Sequence, residues 1–133
     1  MSDNAPQPDM TPGIISWNEL MTRDPAASIQ FYTQLFGWKA ETMSMGPGLE
    51  YTFLKIGDRP AGGLLRMPAE AGNAPTAWMA YVTVADLPAA VAKAKALGAQ
   101  VCKDVTSLPM GRFAVITDPA GAALGLWEFA NKG

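Results

Sequence analysis

Glu19 stands in the run ISWNELMT, whose alternation sets Trp17, Glu19 and Met21 on one side of an extended strand and Asn18 and Leu20 on the other. A carboxyl held among apolar neighbours is pushed toward its protonated form, so it can serve as a general acid or base or bind an amine. The plainer alternative is a carboxylate facing solvent or paired with Arg23, Arg66 or Arg112. Tyr51 and Tyr81 lie on strand runs of their own and can donate from their hydroxyls, although a buried tyrosine that finds a carbonyl needs no further role. Arg112 follows the loop 108–111 and offers either a clamp for an anion or a surface ion pair. The chain has no histidine, so Cys102 lacks the base that would activate a nucleophile and is expected to be a small buried apolar residue.

Positioning these groups requires regular elements, and the chain marks them clearly. Asp24 followed by Pro25 is a strong helix start, because the carboxylate accepts from the first turn while proline has no N–H to leave unpaired. Ile29, Tyr32, Leu35 and Phe36 then recur at spacings of three and four as one apolar stripe, and Gly37 supplies the stop. The same order of strand, Asp cap, helix and glycine recurs 62 residues later, with Asp86 on Asp24, Met79 on Trp17, Tyr81 on Glu19 and Leu97 on Leu35. Strands are expected over 14–22, 38–45, 49–56, 61–67, 78–84, 100–105, 112–117 and 122–129, with a second helix over 87–97.

The expected organisation is therefore α+β: two tandem βαβββ modules forming a curved mixed sheet around a central cavity, with helices on the outer face. The first module covers residues 13–67 and the second 76–130. They are joined by the small-residue linker 68–75, and the proline-rich tail 1–12 is expected to be disordered. On the sheet face away from the helices, alternation gathers Trp17, Glu19, Met21, Tyr51, Phe53, Met79, Tyr81 and Trp127.

Composition narrows the partners. Ten Lys and Arg against 12 Asp and Glu leave no basic excess for a phosphate backbone, so nucleic acid is not expected. No apolar run approaches the roughly 20 residues of a membrane span. A lone cysteine forms no internal disulfide, and the amino terminus lacks an export pattern, so a cytoplasmic location is expected.

Three stretches carry a family resemblance: DPAASIQFYTQLFGW (Asp24 to Trp38), DLPAAVAKAKALGA (Asp86 to Ala99) and the DPAG turn (Asp118 to Gly121). The chain resembles the vicinal oxygen chelate superfamily of glyoxalases, bleomycin resistance proteins and extradiol dioxygenases. WNELMTRD together with FYTQLFGW is similar to its branch described as predicted enzymes related to lactoylglutathione lyase. The resemblance implies metal ligands on the first and last strands of each module, usually His, Gln or Glu. The corresponding positions here are Trp17 and Met79, seven residues before each helix Asp, and Gly125, seven after Asp118. The last strand of the first module offers only Arg66 as a polar side chain. None of these suits a hard divalent cation.

The resulting reading is a glyoxalase-like protein with a metal-free, largely apolar cavity for a small organic molecule, contacted by the eight face residues and Arg112. No cofactor or metal is expected. One alternative is a metal-independent isomerase or lyase acting on a carbonyl compound, with Glu19 as base. Another is a metal-dependent glyoxalase or dioxygenase type of enzyme with an unusual ligand set. Exposed sheet edges leave a homodimer open.

Overall fold

The computed structural model describes residues 11–130. The expected disordered tail therefore lies, for residues 1–10, outside the described residues. The element order is β1 (Ile15–Thr22), α1 (Pro25–Phe36), β2 (Lys39–Ser44), β3 (Glu50–Ile56), β4 (Arg59–Arg66), β5 (Ala77–Thr83), α2 (Leu87–Ala96), β6 (Gln100–Leu108), β7 (Gly111–Thr117) and β8 (Ala123–Phe129). A single 3-10 turn at Ala69–Ala71 interrupts the linker. This is the expected α+β arrangement of two tandem βαβββ modules.

Among the described residues the chain forms two compact units, one from Asn18 to Trp78 and the other from Thr11 to Trp17 together with Met79 to Ala130. In the first unit the strands run in the order β2-β3-β4-β1, and in the second β5-β8-β7-β6. The second unit gains a further backbone contact where Gly13 N donates to Thr83 O and Thr83 N to Ile14 O, at 2.8 and 2.9 Å.

The duplication is legible in the pairing register. Parallel β1 and β4 align Glu19 with Gly63 and Leu20 with Leu64. Parallel β5 and β8 align Tyr81 with Gly125 and Val82 with Leu126. All four residues of the first set differ from their counterparts by the same 62 positions. Because side chains alternate along a strand, an identical register puts counterpart residues on counterpart faces.

Each helix is started as its sequence dictates. Asp24 accepts from Ala27 N and Asp86 from Ala89 N, both at 3.1 Å, and Gly37 closes α1 in the left-handed region at φ 73°. The helix-facing core of the first unit is Leu20, Leu54 and Leu64, with Ile29, Tyr32 and Trp38 packed on it. That of the second is Leu87, Val91, Ala114, Ile116 and Leu126. Fully burying a leucine contributes about 1.5–3 kcal/mol, so these two clusters are what hold each helix to its sheet.

Three expectations are corrected. Only Ile29 and Tyr32 of the anticipated α1 stripe pack on the core, while Leu35 and Phe36 are more than half exposed: at about 100° per residue Leu35 lies roughly 120° round from Ile29, and Phe36, though close to the line of Ile29, is the last residue of the helix. The loop 108–111 is a tight hairpin: β6 extends to Leu108, which pairs with Gly111 and leaves Pro109 and Met110 as its turn. Cys102 is exposed rather than buried, at a shift in the β6–β7 register between Val101 and Lys103.

Candidate functional site

Alternation along β1 turns Leu20 and Thr22 toward α1 and Glu19 toward the helix-free face of the first unit. Glu19 is nevertheless only 7% exposed. A charge at that depth requires hydrogen-bond partners, and Tyr51 on β3 is one of them, its hydroxyl donating to Glu19 Oε1 at 2.8 Å. Antiparallel pairing of β3 with β4 and parallel pairing of β4 with β1 bring the two together across the intervening strand. Phe53 leans on Tyr51 with ring centroids 5.0 Å apart, and Met21 lies half-buried two residues beyond Glu19.

The strand between them carries Gly63. A Cβ at that position would lie 1.8 Å from Tyr51 Oη and 2.4 Å from its Cζ, so the phenol reaches Glu19 only because residue 63 has no side chain. The second unit repeats the device. Tyr81 crosses Gly125, where a Cβ would come within 2.3 Å of its ring. Met79, Tyr81 and Thr83 are buried on this face of β5, and Trp127 on β8 meets Phe129 edge-on at 5.8 Å.

Arg112 lies on the other face. It pairs across the strands with Glu128 and donates to both carboxylate oxygens at 3.0 and 3.1 Å. Glu128 Oε1 also accepts from Leu87 N at 2.7 Å, the first N–H of α2. Glu128 is thus an end-cap for the helix, neutralised by Arg112, while Phe113 and Trp127 pair on the opposite side. The capping role of Glu128 was not anticipated; its signal was a helix that begins with Leu87 before Pro88 and so has a first N–H to satisfy.

The register supplies the fourth position at which the family would place a metal ligand. Gly63 is the counterpart of Gly125, and the set is Trp17, Gly63, Met79 and Gly125. Two glycines, a thioether and an indole offer no oxygen or imidazole donor, and the rings of Tyr51 and Tyr81 occupy the space over the glycines. Among the described residues there is no group of three or more His, Cys, Asp or Glu spaced to hold an ion. The residues present do not fit a divalent cation at these positions.

What the first unit can do follows from Glu19 and Tyr51. A phenol aimed at a carboxylate fixes its orientation, and a shielded, oriented carboxylate can accept a proton or hold a polar group of a ligand while Met21 and Phe53 contact its apolar part.

The family model described as "Glyoxalase/Bleomycin resistance protein/Dioxygenase superfamily" matches residues 14–126. "Putative glyoxylase CFP32" of Mycobacterium tuberculosis is 39% identical over 121 residues, covering 90% of this chain and 46% of that protein. The anthracycline biosynthesis protein DnrV of Streptomyces peucetius is 33% identical, covering 88% of this chain and 47% of its own length. The chain therefore spans about half the length of the curated relatives it matches. Among solved structures, a Streptomyces coelicolor methylmalonyl-CoA epimerase superposes with a TM-score of 0.64 at 20% identity, covering 91% of this chain and 100% of the other, and shares the fold. The chain belongs to the glyoxalase/bleomycin resistance protein/dioxygenase superfamily.

Proposed function

We propose that this protein binds a small organic molecule against the helix-free sheet face of its first unit, through a largely apolar, metal-free surface in which Glu19 and Tyr51 supply the polar contact. The observation that carries the reading is the 2.8 Å bond between Tyr51 Oη and Glu19 Oε1 across Gly63. It orients a shielded carboxylate among apolar side chains, as ligand sites commonly do. Met21 and Phe53 provide the apolar contacts there, and Trp17, Met79, Tyr81 and Trp127 belong to the second unit, which offers an apolar face of its own. Arg112, held by Glu128 on the face that carries α2, takes no part in this reading. The lone cysteine and the lack of a basic excess agree with a cytoplasmic protein whose partner is a small molecule; no helix among the described residues is long and apolar enough to cross a membrane.

A thermal-shift screen of small acids, aldehydes and aromatic compounds tests the reading, because a ligand at 100 times its Kd stabilises the folded state by about 2.7 kcal/mol. Hits are expected to weaken in Tyr51→Phe and Glu19→Gln. Hits unchanged in both would remove this face from the site.

A second reading rests on the same bond. With its orientation set by Tyr51, Glu19 could act as the base of a metal-independent isomerase or lyase on a carbonyl compound. The relative called a putative glyoxylase and the epimerases among the structural neighbours agree with chemistry of that class. Here Glu19→Gln is expected to lower turnover by about 100-fold or more while ligand affinity stays measurable. Turnover unaffected by Glu19→Gln refutes this reading and leaves the binding reading standing.

A further inference from the structure

Granted the binding site of the first unit, on which this rests, we propose that its ligand is a compact carboxylic acid: the anionic group lies on Lys39 and Lys55, and a hydrogen-bond donor at the far end meets Glu19. Antiparallel pairing sets Lys39 opposite Lys55, Glu41 opposite Phe53 and Met43 opposite Tyr51. Residues opposed in such a pair point to the same side of a sheet. Tyr51 is on the side of Glu19, so both lysines lie on the helix-free face. The alternate residues agree, since Thr42 and Thr52 bond at 2.8 Å and Leu54 is in the core under α1. Phe53 stands between the lysines and the carboxylate: it pairs with Gly63, and Gly63 with Glu19. With strands about 4.8 Å apart and residues about 3.4 Å apart along them, the Cα atoms of Lys55 and Glu19 are about 12 Å apart, and the Phe53 ring lies on the way.

Charge argues for an anion at that end. Like charges set directly opposite each other in an antiparallel pair destabilise it. Glu41 answers one of them, holding Lys55 Nζ at 2.5 Å, while Lys39 is exposed and has no ion-pair partner among the described residues. A carboxylate placed there offsets the remaining repulsion, and an ammonium group presents three donors to it. The second unit is the control. Its register is the same at this point, with Val115 on Gly125 as Phe53 is on Gly63. Yet the opposed residues in place of Lys39 and Lys55 are Gln100 and Thr117, with a single lysine, Lys103, opposite Val115. The lysine pair therefore occurs in the unit that has the Glu19 carboxylate and Tyr51, and is replaced by a neutral pair in the unit that has neither.

Calorimetric titration of the full chain with para-hydroxyphenylpropionate, its amide and phenylpropionate tests this. The hydroxy acid is expected to bind about fivefold more tightly than its amide, the scale of two exposed ion pairs, and more tightly than phenylpropionate, which has no donor for Glu19. In the unaltered protein the preference for acid over amide should shrink as salt rises from about 0.05 to about 0.5 M, a measurement that does not depend on variants folding. It should disappear in Lys39→Gln/Lys55→Thr, which installs the neutral pair of the second unit. Glu19→Gln should weaken acid and amide alike and leave the preference in place. Equal binding of acid and amide, or a preference that survives the double substitution, would overturn the assignment of an acid while leaving the site intact. Acid binding that ignores Glu19→Gln would remove the site itself and the assignment with it, and failure of all three compounds to bind would overturn the ligand class.

Discussion

At residue 25 the first module has proline, at the matching residue 87 the second has leucine, and the difference is answered on the last strand of each. Leu87 brings an N–H to the start of α2, and Glu128 accepts it at 2.7 Å. Pro25 brings none, and the position matching Glu128 is Arg66, which instead donates to Arg23 O at 3.1 Å. The same register holds a carboxylate where there is a donor to satisfy and a guanidinium where there is not. A similar contrast runs through the helix-free faces. Glu19 and Tyr81 occupy matching positions beside matching glycines, but the first unit combines a carboxylate and a phenol, whereas the second places the phenol of Tyr81 directly over Gly125. The scaffold is repeated and the chemistry is not, so the units are expected to respond alike to changes in the core and differently to changes at these positions.

The largest effects should be the shared ones. Leu64→Ala and Leu126→Ala remove counterpart leucines from under the two helices, and each is expected to cost about 2–5 kcal/mol in urea unfolding. A loss confined to one of them would break the equivalence of the two cores. Gly63→Ala comes next. Its methyl displaces the Tyr51 ring, at an expected cost of about 1–3 kcal/mol. The cost should fall well below the sum of the single changes when combined with Tyr51→Ala, a non-additivity that a double-mutant cycle measures.

Glu128→Ala sharpens the contrast at the helix starts. It leaves the Leu87 N–H and the Arg112 guanidinium without their acceptor and is expected to cost about 1–3 kcal/mol. Arg66→Ala, at the matching exposed position, should stay within about 0.5 kcal/mol. Equal losses at the two sites would mean that the helix-start account is wrong. The smallest difference is expected at the caps: Asp24→Ala and Asp86→Ala each lose one N3 acceptor, and both should cost about 1 kcal/mol in thermal unfolding.

Much of this architecture was legible from sequence because the signals are local. An Asp-Pro pair, a glycine after an apolar helix and strict alternation act within a few residues, so both helices, all eight strands and the offset of 62 can be read without tertiary information. Alternation along β1 likewise sets Glu19 opposite Leu20 whatever the partners are. Which side chains meet across strands is set elsewhere. Tyr51 reaches Glu19 because two separate pairings bring them to either side of Gly63, and Arg112 joins Glu128 rather than Trp127 because β7 pairs with β8 in one register and not the next. A slip of one residue would reverse both outcomes while leaving every local signal intact. The exposure of Leu35, Phe36 and Cys102 has the same origin. Apolarity makes burial favourable, but only the angle at which an element meets its neighbour decides which of its apolar residues are covered, and that angle is a property of the packed pair.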